Sequence, residues 1–373
     1  MKITAVKKLF YNTNLYVKIE TDEGVFGIGE GTLGTRTSAV AEAVASLARL
    51  VVGWDASDIE HIWQSVYRGV FWRGGPVLLC ALAALDAALW DIKGKALNAP
   101  VYSLLGGRCR NKIRMYNHCY GTTPEELRAA ADRVLKNGYT MIRVCPHDNL
   151  DGGAFDPASQ IKKSVRFMKA LRKHVGDETE IIFECHTRFS PARAVELSNA
   201  LLEFNPVFIE DPIRSDSPEN YRHLRAHTNA PLATGEKLGA VWDYKTLVRE
   251  DLIDYIRADL INCGGISSMR KIAAYGEAHC VEMAPHLLPS GAGMMAALHV
   301  DMATPNFLVQ EDRYYGAEDP HLETDMRYKD GYVTLGDSPG LGIILDESKC
   351  SLVCAAEGDH PYWKRPDGAF QDW

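Results

Sequence analysis

Apolar and polar positions alternate with a period of two over residues 2–31 (KITAVKKLFY, then LYVKIETDEGVFGIGEG), and DEG at 22–24 supplies a turn. The chain therefore opens with antiparallel strands. Helical spacing takes over at residues 38–52 and 59–69. A longer helix starts at Pro76, a residue suited to a first helical position, and reads PVLLCALAALDAALWDIKGKALN. Its apolar positions almost encircle it, which predicts a helix sandwiched between two layers. Two glycine-bearing loops separate these elements, EGTLGTRTS from Glu30 and FWRGGP from Phe71. The second suits either a tight turn with buried aromatics or a loop that covers a ligand, with Trp72 and Arg73 as the contacting side chains.

From Ile113 the pattern changes to short apolar runs separated by helical or loop segments. The runs are IRMYNHCYG, YTMIRVCPH, IIFECH, VFIEDP, LATGEK, DYIRADLIN, CVEMAPH and FLVQE. Eight such runs predict a closed parallel (β/α) barrel, an α/β fold. The expected organisation is an α+β capping domain over residues 1–112, a barrel over 113–319, and a tail over 320–373 that packs back on the first domain.

Three of the runs end in a carboxylate, Glu184, Glu210 and Glu236, evenly spaced 26 residues apart. That interval is just above the minimum for a βα unit, so each Glu falls at the C-terminal end of its strand, the face of a barrel that carries chemistry. Three carboxylates on neighbouring strand ends repel one another unless a cation lies between them. All-oxygen ligation suits a hard ion, Mg²⁺ first and Mn²⁺ second.

Composition narrows the setting. At 373 residues with 46% hydrophobic positions, the chain can bury a large core. A net charge of −8 argues against nucleic acid or an anionic membrane as partner. A small anionic ligand would need a locally positive site. Nine scattered cysteines without a CxxC pair suit a reducing cytoplasm. The N-terminus lacks the apolar stretch of a signal peptide, and the run from Val77 to Trp90 is too short to span a bilayer. A cytoplasmic protein, and a homo-oligomer, is expected.

Glu184 and His186 stand two residues apart, so on one strand both side chains would face one cavity, about 7 Å apart. Asp259 ends the sixth run and His286 follows the seventh. An Asp there can fix the His tautomer and raise its basicity, making a general base. Glu311 ends the eighth run, as a partner either for a substrate oxygen or for a salt bridge. His118 and His147 lie at strand ends from which they could contact substrate.

The ordered Glu184/Glu210/Glu236 and Asp259/His286 sets, with YVKIETDEGVFGIGE, FWRGGPVLL and ALDAALWDIKGKALNAPV, resemble the enolase superfamily, mandelate racemase subgroup. Within it the chain is most similar to sugar-acid dehydratases of the galactonate and mannonate kind. The resemblance runs end to end, including WKRPDGAFQDW. It implies an enolase-type barrel that binds Mg²⁺ through the three glutamates. His286 with Asp259 would abstract the proton α to a substrate carboxylate, and His186 would protonate the departing 3-hydroxyl, giving a 2-keto-3-deoxy sugar acid. It also implies that Glu311 hydrogen-bonds the substrate carboxylate and that the 31–36 and 71–75 loops close over the polyol. Where relatives carry Lys-x-Lys on the second strand, this chain has Arg143-Val144-Cys145. Arg143 can meet a carboxylate oxygen but is too basic to shuttle protons. An epimerase, racemase or cycloisomerase of a sugar acid is the first alternative, favoured if His147 serves as a second base. A low-activity regulatory homologue is the second.

Overall fold

A computed structural model describes residues 1–147, 154–287, 291–312, 319–358 and 363–372. The alternating N-terminal pattern forms three antiparallel strands, β1 (Ile3–Tyr11), β2 (Asn14–Thr21) and β3 (Phe26–Glu30), in the order β1-β2-β3. Gly24, at φ 79°, turns the second hairpin. Three helices follow, α1 (Thr37–Val51), α2 (Ile59–Arg68) and α3 (Pro76–Ala96). Gly27 and Gly29 lie on one face of β3 and let it lie flat on α3. A Cβ on either would stand 2.0 Å from the carbonyl oxygen of Ala88 or Ala84. The other side of α3 meets the barrel, as its all-round apolar sequence requires. There Trp90 Nε1 donates to Ser267 Oγ at 2.9 Å, and Asp86 accepts the Ser267 backbone N–H at 2.9 Å.

After the short α4 (Val101–Leu104), eight strands form the barrel: β4 (Ile113–Cys119), β5 (Met141–Val144), β6 (Glu180–Glu184), β7 (Ile209–Glu210), β8 (Leu232–Thr234), β9 (Tyr255–Ile256), β10 (Glu282–Met283) and β11 (Gln310–Asp312). Parallel pairing runs from β4 through β10, and β11 pairs with β4. A bridge between Met283 and Phe307 completes the ring. Described helices between the strands are α5 (Pro124–Lys136), α6 (Pro157–Val175), α7 (Pro191–Leu201), α8 (Asn220–His227), α9 (Lys245–Arg249), α10 (Ile266–Glu277) and α11 (Gly291–Ala303). Inside the barrel, Tyr116, Met141, Ile182, Phe208, Ala233, Ala284 and Val309 make a closed apolar cluster. No described helix is long and apolar enough to cross a membrane.

The tail divides. Its strands are β12 (Leu322–Thr324), β13 (Arg327–Lys329), β14 (Tyr332–Thr334) and β15 (Ile343–Leu345). Ser351 exchanges two backbone hydrogen bonds with Phe10 of β1, and Glu357 accepts the N–H groups of Thr37 and Ser38 at the start of α1. The β13–β14 hairpin instead extends the barrel, with β14 antiparallel to the start of β4. Residues 363–372 also lie on the barrel, against Phe155 and Arg188. A tail folding back on the first domain as one piece is thus corrected. The start of β4 and the loops after β5 and β6 take up these two stretches through hydrogen bonds of their backbone groups.

Candidate active site

Strand parity builds the site. Each of six strands points an apolar residue into the barrel, and the residue two positions on, one pleat nearer the C-terminal mouth, is polar: Tyr116 and His118, Met141 and Arg143, Ile182 and Glu184, Phe208 and Glu210, Ala284 and His286, Val309 and Glu311. The polar tier closes into a network. Glu184 and Glu210 are direct register partners on β6 and β7. Arg143 donates to Glu184 Oε2 at 2.6 Å and has its Nε 3.6 Å from Glu210 Oε2. Arg257 donates to Glu210 Oε1 at 2.5 Å, to Glu311 Oε2 at 2.6 Å and to the Tyr116 hydroxyl at 2.6 Å. His118 donates from Nε2 to Glu311 Oε1 at 2.7 Å, while its Nδ1 accepts from Arg143 at 3.1 Å and from the Tyr120 hydroxyl at 2.6 Å.

Burial sets the electrostatics. Burial alone would raise the Glu184 carboxyl, but His186 and Arg143 outweigh it and hold it at about 2. Its neighbour Glu210 goes the other way, driven well up by burial and by the Glu184 charge despite Arg257. Burial also lifts Asp211, the next residue, to about 8, helped by Glu236 and Glu184. Glu210 Oε2 is buried with no hydrogen-bond partner. An unmatched lone pair among charges is an acceptor suited to a cation.

The Asp259–His286 pair has the anticipated geometry. His286 Nδ1 donates to Asp259 Oδ2 at 2.7 Å, and Asp259 Oδ1 accepts from the Ile261 and Asn262 backbone at 2.8 and 3.1 Å. His286 Nε2 is left facing the mouth, 3.3 Å from Glu236 Oε2 and 4.0 Å from Glu311 Oε2. Burial would lower this imidazole, but Glu311, Glu236 and the Asp259 hydrogen bond lift it to about 9.

His186 reaches the site by a different path from the one its spacing suggests. β6 ends at Glu184, and His186 and Thr187 have φ of 47° and 59°. A left-handed turn, rather than a continued strand, brings His186 Nε2 to 3.9 Å from Glu184 Oε2. That nitrogen lies 2.9 Å from an Arg143 guanidinium nitrogen, and Nδ1 faces Cys145 Sγ at 3.6 Å.

Other anticipated residues stand apart. His147 is fully buried beside Phe155, Phe183 and Phe189, with Nδ1 3.3 Å from Gln160 Oε1. Phe183 points outward from β6, so His147 occupies the layer between strands and helices and is corrected as a substrate contact. Trp72 is 84% exposed and packs edge-on against Phe71, while Arg73 sits 5.9 Å from the Tyr67 ring. Tyr67 stacks on Trp242 of the loop after β8. The 71–75 loop is thus placed beside the loop after β8, with its aromatic pair exposed and packed on itself. The 31–36 loop starts pinned, with Gly31 N–H donating to Leu15 O and Leu15 N–H donating to Thr32 Oγ1.

Glu236 lies beyond the end of β8 and turns to His286, so the three glutamates do not converge. Among the described residues no three His, Cys, Asp or Glu side chains gather around one point. The donor set still fits a hard divalent cation. Glu184 and Glu210 are carboxylate donors in direct register on neighbouring strands, Glu236 follows the next strand, and one buried oxygen, Glu210 Oε2, has no hydrogen-bond partner. Arg257 is the residue that sequence reasoning missed. Its signal was available, since it precedes Asp259 by two and shares the inward parity of the polar tier.

Residues 126–349 match the family described as enolase C-terminal domain-like, and residues 2–106 match the mandelate racemase/muconate lactonizing enzyme N-terminal domain. The chain is 37% identical to a D-galactonate dehydratase family member of Streptomyces bingchenggensis (strain BCW-1), over 96% of this chain and 93% of that protein. It is 35% identical to a D-mannonate dehydratase of Caulobacter sp. (strain K31), over 96% and 95%. A solved structure of an enolase from Pantoea ananatis with bound D-gluconate and Mg superposes with a TM-score of 0.91 at 33% identity, covering 100% of this chain and 99% of that one.

Proposed function

Because the chain belongs to the mandelate racemase/muconate lactonizing enzyme family and carries its enolase-like barrel, we propose that it is a Mg²⁺-dependent dehydratase of an aldonate-type sugar acid, a hydro-lyase. The observation that carries this reading is the placement of two partly exposed imidazoles, His186 after β6 and His286 after β10, across the mouth from each other. β6 and β10 are the third and seventh of eight strands, hence diametrically opposed. β-Elimination needs one base and one acid on either side of a bound substrate.

Glu184, Glu210 and Glu236 would hold Mg²⁺. When bound, the cation polarises the substrate carboxylate and offsets the charge that develops as the α-proton leaves. His286, in its unprotonated form, takes that proton at Nε2, with Asp259 fixing the ring. Drawing Glu236 to the cation would remove one of the charges that hold this imidazole protonated. His186 returns a proton to the departing 3-hydroxyl, and the enol then tautomerises to a 2-keto-3-deoxy sugar acid. Arg143 and Arg257 offset the charges of Glu184, Glu210 and Glu311, so the positive charge that an anionic substrate needs in a chain of net charge −8 would come from the cation. Glu311 is engaged on both oxygens, by His118 and by Arg257, which fixes it at the floor of the mouth. The relatives named for galactonate and mannonate, and the gluconate complex, support the substrate class. Nine free cysteines fit a cytoplasmic setting. Epimerisation is less well supported, since it needs a second base and the candidate, His147, lies outside the mouth.

The test is incubation with Mg²⁺ and a panel of aldonates in D₂O, followed by proton NMR and a keto-acid assay. Keto-acid from one or more aldonates is expected. His186→Asn should retain deuterium exchange at C2 while losing elimination, and His286→Asn should lose both by about 10²-fold or more. C2 deuteration or epimers without keto-acid would overturn the assignment.

A further inference from the structure

The turn that carries His186 is held from both ends. On the barrel side, Cys185 N–H donates to Glu210 O at 3.0 Å and Thr187 N–H to Asp211 O at 2.7 Å. Two consecutive non-glycine residues in the left-handed region are unfavourable and persist only where the surroundings over-determine them. The far end of the turn is Arg188, which is buried and meets the C-terminal segment. Gln371 Nε2 donates to Arg188 O at 3.2 Å, and the Arg188 guanidinium lies 4.9 Å from the centre of the Trp363 ring. Gln371 and Trp363 are themselves 3% and 9% exposed.

That segment is a small hairpin. Lys364 and Phe370 form an antiparallel bridge, and Arg365 N–H donates to Ala369 O at 2.8 Å around Pro366-Asp367-Gly368. Its outer edge adds to the loop after β5, where Phe155 N–H donates to Lys364 O at 2.7 Å and Ala154 bridges Lys364 in parallel. Arg214, in the loop after β7, approaches Asp372 at 3.5 Å. One hairpin thus ties together the loops that follow three successive strands, and two of those strands end in carboxylates of the site.

We propose that this hairpin positions the active site, with Gln371 and Trp363 as positioning residues that hold the 185–188 turn in its left-handed path and so aim His186 at the carboxylate tier. The idea rests on the reading of His186 as the acid of the elimination. His286 stands on the opposite wall and touches none of the hairpin's described residues. Releasing the hairpin should therefore disturb the proton return and spare the proton abstraction.

Gln371→Met keeps the side-chain volume and removes the donor to Arg188 O. Trp363→Ala removes the ring, and Trp363→Phe keeps a flat face there. In the full-length protein with Mg²⁺ and an aldonate that the wild type dehydrates, Gln371→Met and Trp363→Ala should lower keto-acid formation about tenfold or more. C2 exchange should stay within about twofold of wild type, so the ratio of exchange to elimination rises. Trp363→Phe should keep the wild-type ratio. A merely structural hairpin would lower both rates together or neither, and either pattern overturns the proposal. Amide hydrogen exchange supplies a readout without turnover: the 185–190 stretch should exchange faster in Gln371→Met while the remaining barrel is unchanged. If the wild type forms no keto-acid, the dehydratase reading falls on its own, and unchanged exchange over 185–190 would still sink the hairpin's role.

Discussion

The barrel interior holds two tiers built by the same strands one pleat apart, and they are stabilised by opposite means. The lower tier, with Tyr116, Met141, Ile182, Phe208 and Val309, is apolar and fully buried. It gains free energy by removal from water and needs only volume and shape. Glu184, Glu210 and Arg257 in the tier above are just as buried, yet each charge there is a liability until matched. Burying an ion pair is often no better for stability than an apolar replacement, whereas breaking one leaves an uncompensated charge. The upper tier therefore exists for chemistry and is kept tolerable by Arg143 and Arg257. The lower tier is the floor on which it stands.

Arg257→Met tests that contrast most severely. The change leaves Glu210 Oε1, Glu311 Oε2 and the Tyr116 hydroxyl without their shared donor. A loss of about 3–5 kcal/mol is expected, read by urea denaturation, together with at least a hundredfold loss of turnover in the protein that remains folded. A stable, active Arg257→Met would mean that the upper tier is not organised around its arginines. Phe208→Ala in the lower tier should cost a similar amount, about 3–5 kcal/mol through the cavity it leaves. Here kcat per folded molecule should stay within a few-fold of wild type, because the ring packs in the apolar cluster and takes no part in the hydrogen bonds of the upper tier. The two variants match in stability and diverge in activity, which separates floor from machinery.

How much of this was legible in advance follows from the same two tiers. Period-two alternation and βα spacing place Glu184, Glu210, Asp259, His286 and Glu311 at strand ends, because those rules are local. The tight Asp259–His286 pair is legible for the same reason, the two strands being neighbours in sequence order. Three features depend on long-range geometry. Arg257 bridges β7 to β11, and only closure of the ring brings those strands within reach of one side chain. His147 follows its strand, but its side chain turns outward to a phenylalanine cluster supplied by three separate segments. His186 obeys the parity argument in outcome and breaks it in mechanism, since the strand ends before it and a left-handed turn takes over. The two arms of the tail part company over partners that are far away in sequence, which no periodicity reports.

Asp86 offers a subtler version of the contrast, a buried carboxylate with neutral partners in place of an arginine. It projects from α3 into the start of α10, where Ser267 donates to it through both backbone N–H and hydroxyl at 2.9 and 2.5 Å. Burial pushes this carboxyl up to about 7, against 3.8 for the free group. Between those two values the folded state retains a proton that the unfolded chain has released, so stability falls as pH rises through the window and levels off above it. Asp86→Asn keeps the shape and an acceptor for the Ser267 N–H and has nothing to titrate. Relative to wild type, it should gain about 1–2 kcal/mol of stability between pH 5 and pH 8. The gain is smaller than the full shift implies, since the positive end of α10 favours the ionised form. Urea denaturation of both proteins at the two pH values reads the difference directly. If wild type gained on Asp86→Asn as pH rose, the ionised carboxylate would be the better cap, and serine hydroxyls with a helix end would match a buried charge as well as the arginines do in the barrel.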